Sequence, residues 1–435
     1  MQLTSLVWYK SDLRLADHEP LVRALQKGAV LPVYVFDPRH FAATKFGFTK
    51  TGSFRASFLL QAVTDLRQRL RQKGADLIVR IGQPEQIIPE LAAATNASNV
   101  YCSEEVTYEE LAVMGGVEKV LSLQNIRLHA YWTATLYHKE DIPWPLHRLP
   151  EVFTSFRKEL EAEATVREPF TEPDSIPYPR VIDAGELPSV TQLGLCTPVA
   201  DERAAFTVAG GETAAHQRLN EYLWEKKLLH HYKQTRDSLL GADYSSKLSA
   251  SLALGCISPR LIYWQVKRYE REVVQNDSTY WLIFELMWRD YFRFIARKHG
   301  SKIFSAAGLY GSTPGWRHDK HLFKQWCEGN TGVAFVDANM RELQLTGFMS
   351  NRGRQNVASY LAKDLKIDWR WGASWFESCL ADYDPCSNWL NWAYAAGVGN
   401  DPRQDRYFNI ASQAKRYDPD GAYQRLWLQS QPARS

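Results

Sequence analysis

The chain has 435 residues, 45% of them hydrophobic and 23% charged, with a formal net charge of +3. That length exceeds one ordinary core and predicts two domains, and the apolar content excludes a disordered chain. The weak positive balance permits a nucleic-acid partner without requiring one, and no apolar run is long enough to cross a membrane. Over residues 1–135, short apolar runs at 5–9, 31–37, 76–81, 99–103 and 126–132 predict strands. Amphipathic stretches at 19–27, 52–73, 84–95 and 108–123 predict the helices between them. This alternation predicts an α/β domain built on a doubly wound parallel sheet. No G-x-G-x-x-G follows the first strand, so a dinucleotide site of the usual kind is not expected there.

Residues 136–205 lose periodicity and are punctuated by proline, as in an extended connector, with one short helix predicted at 151–164. From 206 to 430 the pattern is helical, which predicts an all-α second domain. Within it, Ser245, Ser246, Lys247, Leu248 and Ser249 precede a helix. Such a run reads either as a plain N-cap or as an anion site at a helix start. Farther on, Glu285, Trp288, Arg289 and Phe292 share one helix, with Glu285 and Arg289 spaced for an i,i+4 ion pair.

The stretch 347–409 is the densest. Asp384-Pro385 reads as a helix start, with Asp as N-cap and Pro at the first helical position. Asn388 and Trp392 then lie on one face of that helix. On a helix upstream, Arg354 and Gln355 lie three and four residues beyond Asn351. Two helices thus offer amide, guanidinium, carboxylate and indole groups to one planar, polar-edged ligand, or to one another in a satisfied buried network. The 15 Trp are unusually many, and the six Cys show no C-x-x-C pair and no metal-ligand spacing. Reduced thiols, no metal and, since a strand begins almost at once, a cytoplasmic protein without a signal peptide are expected.

GFMSNRGRQNVASYLAKDLKIDWR, followed by DYDPCSNWLNWAYAAGVGNDPR, resembles the flavin-binding core of the cryptochrome/photolyase family. The resemblance covers nearly the whole chain and is greatest to the DASH cryptochrome subgroup. KSDLRLADHEPL is similar to the family's D-L-R-x-x-D start, with Lys10 where Arg is more common. Asp12, Arg14 and Asp17 read equally well as a cap and a local ion-pair set.

The resemblance implies FAD as cofactor, its pyrophosphate held by Ser245, Ser246, Lys247, Leu248 and Ser249 with Tyr232 packed nearby. Ala250-Ser251 replaces the usual Pro-aromatic pair there. Asn351 and Asp384 would also contact the flavin, Arg354 and Asp382 would pair beside its ring, and Asn388 would face N5. Trp392, Trp369 and Trp316 match a chain that passes electrons from the surface to the flavin. Glu285, Trp288 and Tyr394 match positions that contact damaged bases, with Gln355 in place of Met and Tyr394 in place of Trp as in the DASH subgroup. Arg236, Arg352 and Arg403 are candidates for DNA phosphates, or plain surface charge. Leu390 stands where the subgroup has a smaller residue. SEEVTYEE resembles the segment that contacts an antenna pigment, 5,10-methenyltetrahydrofolate in most of the subgroup, with Glu109 as candidate and Glu105 as alternative.

The activity implied is blue-light repair of cyclobutane pyrimidine dimers by a monomer, favouring single-stranded or looped DNA. The rival is a light receptor or transcription regulator without repair turnover. The short stretch after Asp401 leans against receptors that signal through a long tail. An ordinary flavin or nicotinamide oxidoreductase is disfavoured by the missing glycine motif and the lack of an acid–base residue at the cavity.

Overall fold

The computed structural model describes residues 3–179, 182–311, 315–401, 403 and 406–429. Strands β1 (Leu3–Tyr9), β2 (Gly28–Phe36), β3 (Ile78–Ile81), β4 (Asn99–Ser103) and β5 (Arg127–Tyr131) alternate with helices α1 (Glu19–Leu25), α2 (Ser53–Gln72), α3 (Pro84–Ala94) and α4 (Tyr108–Leu123). Every pairing is parallel, in the order β3-β2-β1-β4-β5. Each expected strand and helix is present, with ends shifted by a few residues at most.

Side chains alternate across the sheet, as the pleat requires. Leu6 and Trp8 of β1 pack toward α3 and α4, with Ile88, Leu91, Val117 and Leu121. Val7 and Tyr9 point the other way, into a core continuous with Leu286, Met287 and Phe294 of the helical half. Burying both faces explains why these strands read as unbroken apolar runs.

Beyond the sheet, the connector carries α5 (Phe153–Glu163). There follow α6 (Glu212–Asn220), α7 (Tyr232–Thr235), α8 (Ser249–Ala253), α9 (Pro259–Glu272), α10 (Asp277–His299) and α11 (Lys320–Cys327). The chain continues through α12 (Ala334–Thr346), α13 (Asn351–Ser359), α14 (Trp369–Cys379), α15 (Pro385–Ala396), α16 (Ile410–Tyr417) and α17 (Ala422–Leu428). Trp326, Trp369 and Trp392 lie in a second core among α11–α15. No helix among the described residues is long and apolar enough to cross a membrane.

The loop after β1 does not form the local ion-pair set that was one of its two readings. Asp12 bonds His18 Nε2 at 2.8 Å and Ser103 Oγ at 2.5 Å. Burial opposes its ionisation, yet His18 and these hydrogen bonds hold its carboxyl well below the usual range. His18, not Asp17, caps α1, its Nδ1 accepting from Leu21 N at 3.2 Å. Arg14 and Asp17 reach across to the helical half instead. Arg14 donates to the Gly255 carbonyl at 3.0 Å, and Asp17 accepts from Arg260 at 2.6 and 3.0 Å. Gly255 has φ +63°, and a Cβ there would lie 2.3 Å from the Ser11 carbonyl oxygen. Only glycine allows this loop to ride so closely on the end of α8. The motif joins the two halves.

Candidate functional site

The helices of the stretch 347–409 are set by their caps. Gly347 ends α12 in the left-handed region at φ +68°, and Ser350 restarts the chain as α13 by accepting from Gly353 N at 3.0 Å. Asp384 caps α15 as expected, its Oδ1 accepting from Ser387 N at 2.7 Å, with Pro385 at the first position. Between α13, α14 and α15 lies a pocket whose lining includes Asn351, Arg354, Asp382, Tyr383, Asp384, Asn388 and Trp392. Arg354 donates to Asp382 at 2.8 Å and to the Met349 carbonyl at 2.9 Å. Asn388 gives its amide N–H to the Ala373 carbonyl at 3.0 Å, which turns its oxygen away from that contact. The sequence motif converged as expected.

The Ser245–Ser249 loop is pinned from α6. Arg218 donates to the Ser246 carbonyl at 3.0 Å and the Ser245 carbonyl at 3.1 Å. The helix that follows has 5 residues, too short for a strong dipole, so the anion-site reading rests on the loop itself. Lys247 sits in the left-handed region at φ +58°, its ammonium 3.4 Å from the Tyr244 ring centre and 4.3 Å from that of Phe348. Burial, with Arg218 and Arg354 nearby, brings its pKa down to about 7 despite the opposing pull of Glu342 and Asp382. Burial likewise raises Glu342 to about 7, against a hydrogen bond at 2.5 Å from Tyr423 and the charges of Lys247 and Arg354.

Lys247 Nζ, Tyr244 Oη and Asp382 Oδ1 are all buried with no protein hydrogen-bond partner among the described residues. Native structures leave few such groups unpaired. A ligand with an anionic segment and a hydrogen-bonding ring edge fits this donor set, as FAD does. Tyr232, at the start of α7, is buried with its ring edge-on to Tyr222 at 6.5 Å.

Of the three tryptophans, Trp392 and Trp369 are buried and Trp316 is partly exposed. Trp392 is buried, its ring against Phe376 at 5.0 Å and Trp326 at 5.9 Å. Gly372 abuts its tip, since a Cβ there would lie 2.2 Å from Trp392 Cη2. Trp369 is fully buried and Trp316 half-buried, and both indoles donate to the Ala306 carbonyl, at 3.3 and 3.0 Å. The ring partner of Trp369 is Trp389, at 5.8 Å. Neither Gly372 nor Trp389 was singled out in the sequence; the W-R-W-G and N-W-L-N-W spacings carried the only signal.

At the rim, Glu285 does not pair with Arg289. Arg236 holds it at 2.9 Å, while Arg289 turns inward to the carbonyls of Ala134 and Leu252. A buried guanidinium satisfied by backbone outcompetes a short-range partner on the same helix. Burial raises the Glu285 pKa, and Arg236 only partly offsets this. Trp288 stacks face to face on Phe153 at 3.7 Å and meets Tyr394 edge-on at 6.0 Å and 88°. The two aromatic positions form a corner, not a parallel clamp. Phe153, from the connector, went unnoticed because nothing in its local pattern marks it. Arg352 is committed to Asp237 at 2.9 Å and Gln355 at 2.8 Å, whereas Arg403 is exposed. Leu390 is fully buried in the core.

The two antenna candidates separate. Glu105 is tied up with Arg293 at 3.1 Å and Lys10 at 3.5 Å. Glu109 is exposed at the start of α4 and pairs with Lys50, which lies 3.9 Å from Glu377 of α14.

A parallel sheet docked on a helical half is the architecture of photolyases. The model described as DNA photolyase matches residues 5–174, and that described as FAD binding domain of DNA photolyase matches residues 281–432. The chain belongs to the cryptochrome/photolyase family, and within it to the DASH cryptochromes. A cryptochrome DASH from Gloeobacter violaceus is 55% identical over 98% of this chain and 85% of its own length. The crystal structure of a Synechocystis cryptochrome is 52% identical, covers 98% of this chain and 88% of its own, and superposes with a TM-score of 0.95. An archaeal photolyase from Sulfolobus tokodaii with two FAD molecules is 27% identical, with a TM-score of 0.81 over 98% of this chain and 90% of its own.

Proposed function

We propose that the protein repairs cyclobutane pyrimidine dimers under blue light, with FAD in the α13–α15 pocket, and that it acts preferentially on single-stranded or looped DNA. The observation that carries this reading is the Trp288–Tyr394 corner, because Tyr394 stands on α15 beside pocket-lining Asn391, Trp392 and Ala395. A damaged base extruded from the strand would thereby stack next to the electron donor. When bound and reduced, FAD supplies on excitation the single electron that splits the dimer, and takes it back.

The chain's own part is positioning and charge. Arg354 and Asp382 would flank the ring, Asn351 and Asp384 would hold its polar side, and Asn388 would present its amide to N5. The loop Ser245–Ser249, with Lys247 as its one buried cation, would hold the diphosphate, and Tyr232 would pack against it. Trp288 and Tyr394 would stack the bases, worth roughly 1–3 kcal/mol each. Glu285, whose pKa burial raises against the pull of Arg236, would contact the edge of a base. Arg236, Arg352, Gln355 and exposed Arg403 would line the strand's path. Trp316, Trp369 and Trp392 would re-reduce the flavin from the surface.

The division into 1–135, 136–205 and 206–430 belongs to the same reading, as does a monomer with methenyltetrahydrofolate beside Glu109. Glu109 and Lys50 adjoin Glu377 on α14, and Arg55 lies over the Tyr383 ring that lines the pocket, which favours an antenna near the flavin. All six cysteines are free, as suits the reducing cytoplasm.

The test is blue-light repair of one thymine dimer in single-stranded and duplex oligonucleotides by pre-reduced protein. Preference for the single strand is expected. Equal repair of both would overturn the strand preference, and repair of neither, with reduced flavin bound, would favour the receptor reading. Trp392→Phe should strongly slow photoreduction of oxidised flavin yet spare repair by pre-reduced protein.

A further inference from the structure

We propose that Trp389 is a second electron donor to the flavin pocket, working in parallel with Trp392 and meeting its path at Trp369. This rests on the flavin and tryptophan-path reading above. Tyr383 lines the pocket between Asp382 and Asp384, and Trp389 Nε1 donates to its hydroxyl at 3.2 Å. The far side of the Trp389 ring meets Trp369 edge-on, at 5.8 Å and 75°, and Phe304 at 4.9 Å. From pocket wall to surface, contacts therefore run Tyr383–Trp389–Trp369, and the Ala306 carbonyl then joins Trp369 to Trp316.

The two donors differ in how well they tolerate losing an electron. An indole that becomes a radical cation acidifies its N–H, so an acceptor on that N–H stabilises it through a charge-assisted hydrogen bond. Trp389 has such an acceptor in Tyr383 Oη. Trp392 Nε1 is buried with no protein partner among the described residues.

The step involves electrons only. Trp389 gives one electron to photoexcited oxidised flavin and becomes a radical cation, keeping its proton on the bond to Tyr383. Trp369 refills Trp389, Trp316 refills Trp369, and a thiol reductant in solution refills Trp316. No covalent bond among these residues forms or breaks.

The experiment measures blue-light photoreduction, with added thiol and normalised to bound flavin, in Trp392→Phe, Trp389→Phe/Trp392→Phe and Trp369→Phe proteins. Residual photoreduction in Trp392→Phe is expected to fall at least tenfold further in the double variant. An equal rate in both would overturn the proposal. Trp369→Phe at the wild-type rate would instead sink the tryptophan path beneath it. Near-ultraviolet circular dichroism of flavin-free protein gives a readout independent of activity. Trp369→Phe and Trp389→Phe should remove the same exciton feature, and separate features would deny the ring contact. Tyr383→Phe in the Trp392→Phe background removes only the acceptor and should slow photoreduction again; no slowing would overturn its role in stabilising Trp389.

Discussion

Two places in this molecule are where a ligand would be sought from the fold alone, and they are built oppositely. The first is the crevice at the carboxyl ends of β1 and β4, where the strand order reverses. The second is the pocket among α13–α15. In the crevice, protein fills the space with paired charges. Asp12 meets His18, Glu105 meets Arg293, and Asp17 meets Arg260 of the other half. Near the pocket, a whole ammonium and a carboxylate oxygen, Lys247 Nζ and Asp382 Oδ1, are buried with no protein hydrogen-bond partner among the described residues. The joint is closed in that Asp12, Asp17 and Glu105 each meet a basic side chain, although Arg14 Nε and Arg293 Nε there lack a hydrogen-bond partner among the described residues. The site is open in that a buried ammonium meets no acceptor among them.

The largest expected effect breaks the closed side. Asp17 is fully buried and also accepts from Phe170 N at 2.9 Å, so Asp17→Ala leaves Arg260 buried without its counter-ion. A loss of about 3–5 kcal/mol in unfolding free energy is expected from denaturant titration. Bound flavin per folded molecule should not change, and a large drop in that ratio would show that the joint and the site are not separable.

Next in size is Glu342, behind the pocket. Its folded pKa of about 7 lies above its ordinary value of 4.5, so the folded state binds the proton more tightly. Its contribution is therefore fully present below pH 4.5 and is lost as pH rises to about 7, by about 3 kcal/mol for a shift of this size. Denaturation of flavin-free protein from pH 4.5 to 7 should show this slope, and Glu342→Gln should flatten it. An unchanged slope in the variant would assign the proton elsewhere.

The sheet was legible because its signals are local: apolar runs of strand length, helices of amphipathic period, and caps such as Asp384-Pro385. The convergence of Asn351, Arg354, Asn388 and Trp392 was legible for the same reason, since i,i+3 and i,i+4 spacing places groups on one face. What stayed hidden is what depends on distant partners. No period in the sequence says that Glu285 will take Arg236 over Arg289, or that Arg218 will pin the Ser245 loop from 27 residues away. Phe153 behind Trp288 and Gly372 against Trp392 are likewise facts of packing. The D-L-R-x-x-D motif was read in the right place, but pairing among its own residues failed because the partners of Arg14 and Asp17 lie on α9 and just past the end of α8.

The smallest prediction sharpens the open side and concerns Lys247 itself. Its pKa of about 7 belongs to a cation facing Tyr244, Phe348, Arg218, Arg354, Glu342 and Asp382, with the net balance set by burial. On the proposed reading, a diphosphate arriving beside it restores the charged form, so binding above pH 7 requires uptake of a proton. FAD affinity should then fall as pH rises past 7, by up to about tenfold per unit until the bound-state pKa is reached. Glu342 titrates nearby with the same sign, so the affinity series is run in a Glu342→Gln background as well. Lys247→Met should bind FAD more weakly at pH 7 and lose most of the slope, whereas Glu342→Gln should keep it. If Lys247→Met bound FAD with the wild-type affinity and slope, the orphaned ammonium would not face the diphosphate. The anion would then be held by the backbone N–H groups and hydroxyls of the loop alone.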